Sequence, residues 1–313
     1  MHQPRWSRTT RLLLAIATGA AHAASPSPAS AQSPAMTPFE LNMERVSSKK
    51  FGGDLGDSKT YFVPTYDLLV SVSGSVWSKK GGAQAHGRFF VDGLDKPLMH
   101  AIARKLQDDL VARIRAAGFT ALTYDDLKGE PDVAGRGLDA DEDKWGFPVR
   151  KITPLSYIIA APSEAQQFNN PIQGPAWPWK GLAKAKDLVV LSPELRFTLP
   201  QMWGVTRAGV TANEAGIATD PAMILEAGTI HSIGRKGGGE TVQIDRHGQR
   251  LAAESAGTIT QLKQDRTDFS AAWKRVSGDY SMSIDRTAFE DGVMRVGLAI
   301  NAMLVDKLVK AHK

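Results

Sequence analysis

Two long stretches of this chain carry apolar residues at helical spacing, and most of the remainder carries them at strand spacing. In 95–118, Leu98, Ile102, Leu106, Leu110 and Ile114 recur every fourth residue with Val111 beside them, while Arg104, Lys105, Asp108, Arg113 and Arg115 take the other side. Such a stripe predicts an amphipathic helix laid on a sheet. Asp95 offers an N-cap acceptor, Pro97 falls in the first turn, and Gly118 can take the left-handed stop. A second helix over 287–312 presents Val293, Val296, Ile300, Leu304 and Leu308. Leu298, Val305 and Val309 widen its apolar arc and predict deeper burial. Phe269, Ala272, Trp273 and Val276 predict a third, short helix over 268–276.

Period-2 alternation marks the strands. In 66–77, Val70, Val72 and Val76 oppose Ser71, Ser73 and Ser75, the signature of a sheet with one buried side. Shorter strands are predicted at 87–91, 119–123 and 155–161, with a helical turn at 125–128. Residues 187–192 and 194–199 read as two strands or one bent at Pro193, and part of 222–233 reads as strand. Val242 and Ile244, a turn at Arg246-His247-Gly248 and a return over 249–259 predict a hairpin. Residues 202–220 are too rich in glycine and small side chains to predict an element, and 163–184 is irregular. Strand, long helix and strand in succession predict an α/β (or α+β) fold. The expected architecture is a mixed sheet with two long packing helices in a single domain over 61–313, after a flexible lead-in at 32–60.

The first residues change the picture. Arg5, Arg8 and Arg11 precede an uncharged run over 12–24, and two small-x-small sites follow at Ala21-His22-Ala23 and Ala29-Ser30-Ala31. This pattern predicts a Sec signal peptide over 1–31 and hence a periplasmic or extracellular protein. The apolar run is about half of the roughly 20 residues that a spanning helix needs, so no transmembrane span is expected in the mature chain. The sequence has no cysteine, so burial rather than disulfides must hold the fold, and no lipid anchor can be attached through cysteine. Removing 1–31 takes three of the 38 basic side chains and none of the 33 acidic ones, which lowers the formal charge from +5 to +2. With acids and bases interspersed, nucleic acid is not an expected partner.

Diagnostic catalytic motifs are missing from the sequence. It has no G-x-S-x-G elbow, no phosphate loop and no H-E-x-x-H pair, and it implies no cofactor. Asp139, Asp141 and Asp143, with Glu142 between, alternate as calcium loops do, but Lys144 stands where the turn glycine belongs. They read either as weak calcium candidates or as a solvated acidic loop. Trp177, Trp179 and Trp203 are the partner-binding candidates. Tryptophans on proline-rich loops dock on partners or sugars when exposed and anchor the loop to the core when buried.

Four pieces carry a resemblance. A helix closing in RIRAAGF is followed by Asp125-Asp126-Leu127, then by Asp187-Leu188-Val189-Val190-Leu191. A polar turn at 245–249 and a terminal helix ending LVDKLVKAHK complete the order. That order resembles the curli secretion lipoproteins, the lipoprotein activators of penicillin-binding proteins, and the amino-terminal domain of the Tol propeller protein. The resemblance implies an α/β envelope protein with helices against a mixed sheet, and it transfers no functional residue. The expected function is a non-enzymatic envelope protein that binds an envelope protein partner. The competing expectation is a secreted hydrolase of cell-wall or carbohydrate material, its carboxylate pair drawn from residues such as Asp139, Asp141, Glu142 and Glu226.

Overall fold

The computed structural model describes residues 41–80, 83–134, 146–168, 176–207, 214–245, 255–270 and 273–313. Its elements run β1 (Val46–Phe51), β2 (Thr60–Val63), β3 (Asp67–Lys80), β4 (Ala83–Asp92), α1 (Lys96–Ala116), β5 (Thr120–Thr123), α2 (Tyr124–Leu127), β6 (Val149–Ile152) and β7 (Leu155–Ala160). There follow α3 (Lys180–Ala185), β8 (Val189–Thr198), β9 (Gln201–Arg207), β10 (Glu214–Asp220), β11 (Ile224–Ile233), β12 (Gly239–Ile244), β13 (Gly257–Ser270), β14 (Trp273–Ile284) and α4 (Arg286–Ala311). The fold is mixed α/β, as the pattern predicts.

Both long helices start where their caps stand. Asp95 Oδ1 accepts from the Leu98 amide at 2.9 Å, and Asp285 Oδ1 accepts from the Ala288 amide at 3.0 Å. Gly118, at φ +87°, ends α1. The two helices meet closely: a Cβ built on Gly297 would lie 2.3 Å from Leu106 Cδ2, so the glycine lets α1 seat a leucine in α4. Beside it the buried Asn301 donates to Leu106 O and Asp109 Oδ2, each at 2.9 Å, and accepts from the Tyr66 hydroxyl at 3.1 Å. A buried amide with every group occupied ties both helices to the sheet at one register.

Twelve strands form one sheet along the path β1-β12-β11-β8-β3-β4-β14-β13, with β2, β5, β6 and β7 attached beside it. Strand β8 organises the centre. It runs parallel to both β2 (Tyr61↔Val189) and β3 (Asp67↔Glu194), so those two are one strand interrupted at 64–66. Its other edge carries β11, antiparallel. Alternation then divides the side chains. Leu68, Val70, Val72, Leu191, Leu195 and Phe197 join the buried faces of α1 and α4 in the main core. Phe62, Val190 and Ile233, one residue out of phase, pack with Trp179, Phe168 and Leu182 in a second core on the opposite side.

Several expectations are corrected. Phe51 and the rest of β1 lie within the stretch read as a flexible lead-in, yet β1 pairs with β12 over six residues. Val242 and Ile244 pair with β11 and β1 and not with 257–259, while the predicted turn at Arg246-His247-Gly248 and the return over 249–254 lie outside the described residues. Strand β12 pairs with β11 through the glycine-rich turn before it, whereas 257–270 pairs with β14. Of the short helix expected over 268–276, residues 268–270 and 273–276 are strand, because apolar residues at helical spacing are outweighed by a long ladder between β13 and β14. Within 202–220, unassigned from sequence, residues 202–207 and 214–220 pair as the antiparallel strands β9 and β10. The pair covers β4 where Gly87 leaves room: a Cβ there would sit 3.0 Å from both Ile217 and Met202.

Candidate functional site

The sheet face turned away from α1 and α4 carries the polar residues of the same alternation. Two rows cross it in register. Asp67, Glu194 and Thr229 stand side by side on β3, β8 and β11. Ser192, His231, Thr241 and Lys49 form the second row, on β8, β11, β12 and β1. Arg150 of β6, opposite Tyr157 of β7, reaches this face and places Nη1 3.1 Å from both carboxylate oxygens of Glu194. The Arg196 guanidinium lies 5.8 Å from the centre of the Tyr157 ring.

Asp67 is fully buried. Thr65 Oγ1 donates to its Oδ1 at 2.6 Å, and Oδ2 has no hydrogen-bond partner among the described residues. Burial pushes its pKa up to about 7, and the neighbouring negative charge of Glu194 adds to the effect. The Thr65 hydrogen bond and Arg150 oppose it. His231 is held below the usual imidazole value, mainly by burial, with Arg150 acting in the same direction and Glu194 against it. A carboxyl whose pKa is raised by burial therefore stands beside an arginine-bound one. Two carboxyls in such different surroundings are the arrangement of an acid–base pair, but Asp67 is sealed from solvent, and a general acid must reach its substrate.

The second row opens into a groove of about 370 Å³ lined by Phe51, Trp177, His231, Thr241 and the turn Gly237 to Gly239. Glycine is required in this turn by close backbone approach. A Cβ on Gly238 would lie 2.0 Å from Phe51 O, and one on Gly239 would lie 1.8 Å from Ser232 O. The two aromatic walls are exposed, Phe51 at 53% and Trp177 at 44%. Each carries a lysine: Lys49 Nζ lies 5.2 Å from the Phe51 ring centre and Lys180 Nζ lies 4.9 Å from that of Trp177. Among the described residues neither lysine has a carboxylate partner, whereas nearby Lys50, Lys236 and Arg235 pair with Asp54, Asp57 and Asp187.

The three tryptophans singled out from sequence separate. Trp179 is fully buried, edge-on to Phe62 at 5.3 Å and Phe168 at 4.8 Å, and so anchors the loop and cannot present a surface. Trp177, two residues earlier, lines the groove. Trp203 is 46% exposed on β9, beside the exposed Val205, and is not part of the groove. Asp139, Asp141, Glu142 and Asp143 lie outside the described residues. Glu226 lines a different recess of about 290 Å³, with Thr198, Pro200 and Met202. No group of three metal-ligating side chains occurs among the described residues.

Sequence reasoning missed Asp67, Arg150, Glu194 and Phe51. A signal for the first existed: in the alternation of 66–72, Asp67 shares a parity with Ser71, the non-core side. No family model, curated protein or solved structure matches this chain.

Proposed function

We propose that this chain is an exported, non-enzymatic protein of the cell envelope that acts by binding another protein through the groove between Phe51 and Trp177. The observation that carries the reading is the pair of half-exposed rings facing one groove, each stacked by a lysine that has no acid partner among the described residues. Large exposed aromatics around a polar floor are the anchor residues of protein interfaces. The basic n-region and apolar run at the N-terminus support export, and the resemblance of the sequence's element order to envelope families supports the envelope. No helix among the described residues is long and apolar enough to cross a membrane.

The hydrolase reading needs two carboxylates open to one substrate. Among the described residues, Asp67 and Glu194 are neighbours but the first is sealed, and Glu226 faces another recess. Crosslinking and pull-down from intact envelopes tests the binding reading. A specific partner lost with the double variant Phe51→Ala/Trp177→Ala and kept with Trp203→Ala supports it. A partner list unchanged by the double variant overturns it.

A further inference from the structure

Among the described residues, strand β1 has a hydrogen-bonded neighbour on one side only, β12, and Ser47 to Phe51 are exposed along its length. No described residue pairs with the backbone donors and acceptors of its outer edge, which is a template for another strand. Because side chains alternate, Lys49 and Phe51 rise from this strand on the groove side, in register with Thr241 and Gly239 of β12. A strand added beyond β1 would set every second side chain against Lys49, Phe51 and, through the groove, Lys180.

We propose that the partner's contribution is an extended acidic segment that adds to the sheet along β1 and places its carboxylates beside Lys49 and Lys180; this rests on the groove reading above. Charge selects this occupant. Lys50, Lys236 and Arg235 already hold acids of this chain, whereas Lys49 and Lys180, the two cations stacked on the groove's rings, have no carboxylate partner among the described residues and are placed to meet an incoming anion. The same charge opposes the obvious competitor, a second copy of β1. Pairing two such edges brings Lys49 and Lys50 of each copy side by side, and like charges across a strand pair are destabilising. Main-chain hydrogen bonds along the edge supply affinity without sequence preference, and alternate side chains supply the selection.

The test uses the full chain and four eight-residue peptides. The first alternates glutamate with valine and the second alternates lysine with valine. The third and fourth are the glutamate peptide N-methylated at every second residue, in the two possible phases. Binding is followed by Trp177-dependent fluorescence and by amide hydrogen exchange over residues 46–51. The expected result is at least tenfold slower exchange in β1 with the glutamate peptide and no binding of the lysine peptide. One methylated phase binds as before and the other loses at least tenfold, since only alternate peptide N–H groups face β1. Lys49→Gln/Lys180→Gln is expected to weaken the glutamate peptide about tenfold. Equal binding of both methylated phases, or unprotected β1 amides at saturation, overturns strand addition while leaving the groove reading to its own pull-down test. Equal binding of the lysine peptide overturns the charge selection.

Discussion

Asp67 faces Glu194 across the parallel pair β3 and β8, and the Arg150 guanidinium beside them bonds both oxygens of Glu194. One carboxyl is thus held by a cation, and the other is buried with a single hydroxyl donor among the described residues, where burial raises its pKa to about 7.

The proton on Asp67 has a measurable consequence. Its pKa in the fold is about 7 against 3.8 for the free side chain, so between these values the folded chain holds a proton that the unfolded chain has released. Stability from this group is fully present below about pH 4 and is lost as pH rises through 7, at about 1.4 kcal/mol per unit of displacement. Asp67→Asn is expected to remove that slope. Urea midpoints measured from pH 5 to pH 8 should fall for the parent relative to the variant, and parallel curves would refute the assignment.

The two tryptophans of one turn should behave oppositely. Trp179→Ala empties a fully buried site and is expected to cost about 3–5 kcal/mol. Trp177→Ala, at an exposed ring, should change stability by less than about 0.5 kcal/mol and act on partner binding instead. Equilibrium urea unfolding of both variants separates these outcomes.

The helix crossing gives a third expectation. A methyl group on Gly297 must displace Leu106. Overpacking of about 1–3 kcal/mol exceeds the roughly 1 kcal/mol that alanine gains over glycine in a helix. Gly297→Ala should therefore lower the thermal midpoint in calorimetry, and Gly297→Val should lower it further.

Asn301 supplies a fourth. Asn301→Ala strips the Tyr66 hydroxyl and one oxygen of Asp109 of a buried partner, at an expected cost of about 1–3 kcal/mol. Adding Tyr66→Phe in the same chain should recover part of that loss, because the orphaned hydroxyl is then gone, and a double-mutant cycle reads the recovery.

What the sequence made legible was local. The stripes of α1 and α4, the Asp95 cap and the Gly118 stop each depend on residues within a turn or two, and all appear where expected. The β13–β14 ladder was missed because its pairing partner, not its own apolar content, makes it strand: β13 reads TITQLKQDRTD, polar almost throughout. The β9–β10 hairpin was missed for a related reason. Its small residues fit because β3 and β4 press against it, and Gly204 sits where a Cβ would come within 2.6 Å of Ser78. The candidate site lay furthest from view. Period 2 places Asp67 and Glu194 each on a non-core side, but their adjacency is a fact of strand order across 127 residues. Nothing along either strand encodes which neighbour it takes.

The pairing of β1 with β12 has a temporal meaning. Val46 finds Ile244 as its cross-strand neighbour, so β1 leaves the ribosome long before the strand that seats it exists. At synthesis rates of about 5–20 residues per second, that interval is roughly 10–40 s. Over that interval the strand that pairs with β1 is absent, and the two lysines of β1 are charges of the kind that oppose edge-to-edge joining of copies. The edge left open in the finished fold is the remainder of a strand that begins life with no neighbour at all.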